Sequence, residues 1–166
     1  MSNSAISIVE TKNQWLSQHI DVEFPTKESL AGRQLYLAKS QDSQFEKLVG
    51  LPEPSTIFSE QDIFKVDFHR LTVMFSLLQS KRWEEQNEQE LIVEFLSQII
   101  FSEPCDLYVG FQNGEPSAAA IITKNGKELL VSDVVSLSGN NDEFVASLLT
   151  HSTLEATNCE AIYIES

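Results

Sequence analysis

Two Asn-Gly pairs, Asn113-Gly114 and Asn125-Gly126, constrain this chain more than any other feature. A two-residue hairpin turn of type I′ holds both central residues at positive φ, which Asn and Gly adopt at least cost. Each pair separates apolar runs, "DLYVGFQ", "EPSAAAIITK" and "KELLVSDVVSL", so three strands in an antiparallel meander are expected. A meander buries at least one face, and the rest of the chain has to cover it.

The covering elements are visible on both sides. In "FSEQDIFKVDFHRLTVMFSLLQSKRWEE", Ser59 with Asp62 resembles a capping box, and Phe64, Phe68, Leu71, Phe75 and Leu78 recur at helical spacing. That aromatic stripe reads as core rather than cofactor pocket. A second helix is expected from Asn87 as cap, with Leu91, Ile92, Phe95, Leu96, Ile99 and Ile100 buried and Pro104 closing it. A third begins after Asn141, with Phe144, Val145, Leu148, Leu149 and Ser152 on one side. The short run "AIYI" then fits a last strand, parallel to the third strand of the meander across a helical crossover.

The order predicts an α/β fold (mixed α+β): a central mixed sheet with an antiparallel meander and helices on both faces. All 166 residues are expected to form one domain. Its residues 1–58 are weakly patterned, with a strand at "AISIV", an amphipathic "NQWLSQHI", a strand at "RQLYLAK" and an extended connection at "GLPEPST".

Composition narrows the function classes. Eleven basic residues against 25 acidic ones give a net charge of -14, which repels nucleic acid and anionic lipid; such acidity reads first as a means of solubility and second as an acidic face for a basic protein partner. No apolar run approaches the ~20 residues of a membrane span, and "MSNSAISIVETKNQW" lacks the pattern of a signal peptide, so a cytoplasmic protein is expected. Cys105 and Cys159 are isolated and read as buried thiols; no disulfide or zinc site is signalled. His151 and Glu155 stand four apart without a third ligand, so no metal is expected, and His19 and His69 read as surface or boundary residues. The chain has no G-x-S-x-G, G-x-G-x-x-G or P-loop motif.

The stretch "VSDVVSLSGNNDEF" runs from strand through loop into helix, a junction whose free N–H groups and helix dipole favour an anion. Yet it carries Asp142 and Glu143 and no Lys or Arg. Asp133, alternating with Val134, reads first as a solvent-facing or hydrogen-bonded strand residue; it is also the candidate catalytic base, since on a groove-facing position it would accept a proton from an amine through water.

From Ser59 to Ser166 the chain resembles the GNAT acetyltransferase superfamily. "LYVGFQNGEPSAAAIITKNGKELLVSDVVSL" resembles that family's second, third and fourth strands, and "FVASLLTHSTLEATNCEAIYIES" its following helix and fifth strand. The resemblance implies a GNAT-like acyl-CoA N-acyltransferase fold, acetyl-CoA as a substrate, and an amine as acceptor. It implies backbone contacts to the pantetheine arm from Val135, Ser136 and Leu137, with Gly139, Asn140 and Asn141 at the pyrophosphate. The family's loop Arg/Gln-x-x-Gly-x-Gly/Ala is absent: Asn140 stands near the basic position, and Asn141, Glu143 and Val145 near the glycines. Glycine serves there because backbone has to approach the diphosphate without a Cβ, and a carboxylate nearby repels it.

Two function classes follow. The first is an atypical GNAT-like protein that binds acetyl-CoA or another acyl-CoA and transfers the acyl group to an amine; the second is a non-catalytic acidic interaction domain that has lost CoA binding. The family continues past its fifth strand and this sequence stops at Ser166, so the outer edge of the last strand is expected to be covered by "RQLYLAK" or "AISIV", or else by a symmetric homodimer.

Overall fold

The computed structural model of the chain describes residues 3–165. The elements run α1 (Asn3–Ser17), α2 (Lys27–Ser40), β1 (Phe45–Lys47), β2 (Ile63–Lys65), α3 (His69–Ser80), α4 (Gln86–Leu96), β3 (Cys105–Gln112), β4 (Glu115–Asn125), β5 (Glu128–Ser136), α5 (Asn141–Leu149) and β6 (Ala161–Glu165). They form one six-stranded sheet in the order β1-β6-β5-β4-β3-β2. Every pairing is antiparallel except that of β5 with β6.

The meander forms as expected, with one shift of turn. Gln112 faces Glu115, and Asn113 and Gly114 hold φ of 54° and 79°, as a type I′ turn needs. In the second hairpin Asn125 is still paired, with Glu128, so the central residues are Gly126 and Lys127. Gly126 alone has positive φ, at 62°, the arrangement of a type II′ turn with glycine first.

Alternation along the strands divides the core in two. Leu107, Val109, Ala119 and Ile121 meet Trp15, Leu16, Tyr36, Phe75, Ile92 and Phe95 from the N-terminal helices. On the other face Tyr108, Ala118, Ala120, Ile122 and Val131 meet Phe144, Val145 and Leu148 of α5. Helices therefore cover both faces of the mixed sheet.

The first 58 residues differ most from expectation. "AISIV" lies in α1 and "RQLYLAK" in α2, so both expected strands are helical. The buried side of α1 runs through Ile8, Lys12, Trp15 and Leu16, and that of α2 through Ser29, Gly32, Tyr36 and Ser40. Both have helical spacing, but polar residues and a glycine hold several of the inward positions, so apolar residues alone do not trace the stripe. His19 is buried rather than superficial: its Nδ1 accepts from the Ile100 N–H at 3.1 Å, and burial lowers its pKa to about 4.

The helix expected from Ser59 begins only at His69. Ser59 Oγ does donate to Asp62 Oδ2 at 2.8 Å, but across a single 3₁₀ turn, and residues 63–65 are drawn into the sheet by β3. Phe64 and Phe68 are consequently about half exposed rather than core. Helix α4 starts one residue before Asn87, with Glu85 at the cap position, and ends before Ile99 and Ile100. The outer edge of β6 is covered from the N-terminal side by neither proposed segment: β1 pairs there, Phe45 with Glu165 and Lys47 with Tyr163.

Helices α2 and α4 approach closely at Gly32, where a Cβ would collide with the Leu91 carbonyl oxygen and Phe95 Cβ. Gly32→Ala should therefore lower stability by about 1–3 kcal/mol in chemical denaturation, since backbone on that side cannot yield cheaply. A variant as stable as the parent would contradict this close approach.

Candidate functional site

The site begins with an irregularity in β5. Ala119 faces Val135 and Ile121 faces Ser132, so Asp133 and Val134 together oppose Ala120. This is a β-bulge, and Asp133 holds φ of 54° within it. The parallel ladder between β5 and β6 ends at Val131 and Ile164, while β5 continues to Ser136. Beyond that point lies a cleft of about 590 Å³, bounded by the end of α2, β1, the first turn of α5, Val134 of β5 and the end of β6 at Ile164 and Glu165.

Asp133 does not face this cleft as a groove-side base would; its side chain is fully buried. Oδ1 accepts from Tyr36 Oη at 2.7 Å and lies 3.4 Å from Arg82 Nη1; Oδ2 accepts from Ser132 Oγ at 2.6 Å and from Lys12 Nζ at 3.1 Å. Its carbonyl accepts from Gln79 Nε2, and its N–H donates to Glu165 Oε1 at 3.0 Å. Burial would raise its pKa, but Lys12 and Arg82, with the Ser132 and Tyr36 hydrogen bonds, hold it well below the usual carboxylate range. A carboxylate so stabilised in its charged form is a poor proton acceptor near neutral pH. The expectation that Asp133 lies open to an acceptor is corrected on this ground, and its role is to position the bulge.

Glu165 occupies the place that Asp133 was expected to hold. It lines the cleft, its side chain is 8 % exposed, and Oε2 lies 3.6 Å from Lys12 Nζ. Burial raises its pKa, as does the neighbouring charge of Asp133, with Lys12 and Arg82 opposing in part. Sequence reading missed it because Glu165 and Asp133 meet only through the β5–β6 crossover. Arg82, also unrecognised, packs its guanidinium against Tyr36 and Trp83 at 5.5 and 5.4 Å and donates to Gln79 Oε1.

The residues expected to hold a cofactor surround the start of α5. Val135 is buried on the face of the sheet that α1 to α4 cover, and Val134 is the β5 residue that lines the cleft. Leu137 is exposed, and its N–H is engaged by the Ser117 carbonyl at 2.8 Å. Ser136 Oγ accepts from the Asn140 N–H at 3.3 Å, and Asn140 Nδ2 donates to Ser138 Oγ. The Asn140 side chain does not cap α5. Ser136, Gly139, Asn140, Asn141, Asp142 and Glu143 line an adjoining depression that shares Asn141 and Asp142 with the cleft, and none of them is basic. Gly139 has φ of 77°, and a Cβ on it would meet open space. His151 and Glu155 fall beyond α5, at the two ends of the 3₁₀ turn Ser152–Leu154 rather than on one helix face; His151 Nδ1 accepts from the Thr153 N–H. Burial pushes the Cys105 thiol up to about 12, which leaves it unreactive.

No protein-family model matches the sequence, and no curated protein matches it. Among solved structures it is similar to a GCN5-related N-acetyltransferase from Kribbella flavida, at 11% identity and TM-score 0.45, over 80% of this chain and 53% of that one. It is also similar to an acetyltransferase from the GNAT family of Novosphingobium aromaticivorans, at 17% identity and TM-score 0.46, over 75% of this chain and 51% of that one. The chain spans about half the length of either structure. Likenesses this loose leave the function to be argued from the chain's own geometry.

Breaking the buried cluster should be costly. Asp133→Asn leaves Lys12 and Arg82 facing a neutral amide, and unfolding should show a loss of about 3–5 kcal/mol. Adding Lys12→Met to that variant should recover part of the loss. A loss under about 1 kcal/mol would contradict a buried ionic role for Asp133.

Proposed function

We propose that this chain is a divergent relative of the GNAT N-acetyltransferases that binds an acyl-CoA in the cleft beside the bulge of β5 and the end of β6. The observation that carries the reading is where this cleft lies: beside the bulged end of β5, the end of β6 and the first turn of α5. A meander of three antiparallel strands leads through a loop and α5 to a parallel β6, and β5 runs on past its last pairing with β6, through the bulge at Asp133 and Val134, toward the start of that helix. A cleft so placed can take a slender arm along β5 with its phosphates toward a helix start. The cleft's volume, about 590 Å³, lies within the range of small-molecule sites.

The chemistry this supports is direct transfer. A neutral amine attacks the thioester carbonyl; the new N–C bond forms, the C–S bond breaks, CoA leaves as a thiolate, and the nitrogen's surplus proton neutralises it. Asp133 contributes by fixing the bulge, not by taking the proton.

A second reading, a non-catalytic acidic domain for a basic protein partner, is favoured by one observation: Asp142 and Glu143 stand in the first turn of α5, where a diphosphate would be held. A homodimer finds no support at the β6 edge, which β1 already covers.

Titration calorimetry with acetyl-CoA at low ionic strength separates the two readings. Micromolar affinity is expected on the first, and silence up to millimolar ligand would remove it. Replacing Asp142 and Glu143 with Gly should tighten binding about thirtyfold, because each carboxylate opposes the diphosphate by on the order of 1 kcal/mol. An unchanged affinity would place the ligand away from the start of α5.

A further inference from the structure

The two edges of the sheet are finished differently. At one, β1 closes the sheet against β6; at the other, β2 is the last strand, and no described residue pairs with its outer side. The Val66 N–H donates to the Leu107 carbonyl at 2.8 Å, so Phe64 and Val66 turn their backbone groups inward to β3, and the alternate residues Ile63 and Lys65 turn theirs outward. The Ile63 N–H is taken up by the Glu60 carbonyl. That leaves the Ile63 carbonyl and both backbone groups of Lys65 facing solvent on an extended segment, which is a template for another strand. Phe64 and Phe68 beside it are 47 % and 51 % exposed, so apolar surface lies open along the same edge.

A cavity of about 290 Å³ adjoins this edge. Trp15, Val66, Phe101 and Leu107 give it apolar walls, and Asp67, Glu103 and Asp106 stand around it. Lys65 is the one basic residue among the described residues that line it, and it already pairs with Asp106 at 3.4 Å. Apolar walls with an acidic surround suit a long side chain whose stem is hydrocarbon and whose head is cationic, which is arginine or lysine. A second copy of this chain is the poorer occupant, since it would bring the same carboxylates and another net charge of -14 to the edge.

We propose that the open edge of β2 takes an extended basic segment of a partner protein as an added strand, with one arginine or lysine side chain seated in the adjoining cavity. Backbone hydrogen bonds at Ile63 and Lys65 fix the segment, and the cavity selects its side chain. The edge and the cleft beside β6 lie at opposite sides of the sheet, so this surface depends neither on acyl-CoA binding nor on its absence.

The probe is a capped peptide of alternating arginine and valine, and the first readout is amide hydrogen exchange of the full chain, followed by NMR. Saturating peptide should slow exchange of the Lys65 N–H about tenfold or more. The same peptide with alternate amides N-methylated keeps its charge but loses a strand's hydrogen-bonding side, and should bind about tenfold more weakly in calorimetry. Lys65→Pro removes the outward N–H without touching the pairing with β3 and should weaken binding about tenfold, whereas Lys65→Thr, with the same loss of charge and the N–H kept, should not. If the proline variant does not fold, Lys65 exchange and the N-methylated peptide decide the matter on the parent chain. Asp67→Asn with Glu103→Gln should also weaken binding about tenfold, while an equal charge change at the far edge, Asp42→Asn with Glu46→Gln, should leave it unchanged. Absence of heat at millimolar peptide, unaltered Lys65 exchange with peptide bound, equal affinity for the N-methylated peptide, an equal loss in the far-edge control, or a dimer of the free chain that itself protects the Lys65 N–H would overturn the proposal.

Discussion

Inside the core, with neither side chain exposed to solvent, the ammonium of Lys12 lies 3.1 Å from a carboxylate oxygen of Asp133. Removing two such charges from water costs several kcal/mol each, and the pair is tolerable only because other partners complete it. Tyr36 and Ser132 supply hydrogen bonds, Arg82 a second positive charge, and Glu165 a second negative one close to Lys12. The charges balance. The partners come from α1, α2, the segment after α3, β5 and β6, so one carboxylate ties the weakly patterned N-terminal residues to the sheet.

The cluster also shapes the site. A non-glycine residue at positive φ inside a strand costs of order 1 kcal/mol or more and persists where its surroundings fix it. At Asp133 the side chain, the N–H and the carbonyl are all bonded, to Lys12, Glu165 and Gln79 respectively. The bulge is thereby held, and beside it Val134 lines the cleft. Two carboxyls close in space are driven apart in pKa: Asp133 is lowered by the cations beside it, and Glu165 is raised by its burial and by Asp133. The first is committed to structure, and the second lines the cleft.

Local signals carried much of this fold. The meander, α5 and β6 were legible because turn chemistry at Asn113-Gly114 and apolar spacing around Phe144 and Leu148 act within a few residues. The helices α1 and α2 were not, because Lys12, Ser29, Gly32 and Ser40 hold inward positions that read as outward ones. Phe64 and Phe68 have helical spacing with Leu71 and Phe75, but pairing of residues 63–65 with β3 overrides it. In the site, Asp133 stood out by its place in an apolar strand, whereas its burial depends on Lys12 and Tyr36, roughly a hundred residues away. Glu165 carried no local signal, and no spacing rule would have joined it to Asp133.

The division of roles between the two carboxyls is the claim on which both the fold and the site rest, and carboxyl ¹³C chemical shifts followed by NMR against pH test it directly. A group whose folded pKa is lowered adds stability above its unfolded value and loses it as pH falls through the folded one; a raised pKa acts in the opposite sense. The account therefore predicts that the Asp133 resonance stays in its ionised position through the usual aspartate range, until the protein unfolds in acid, while that of Glu165 titrates above the ordinary glutamate range. Titration of Asp133 at an ordinary aspartate pKa in the folded protein would contradict the account, because it would mean that the carboxylate is neither buried nor paired.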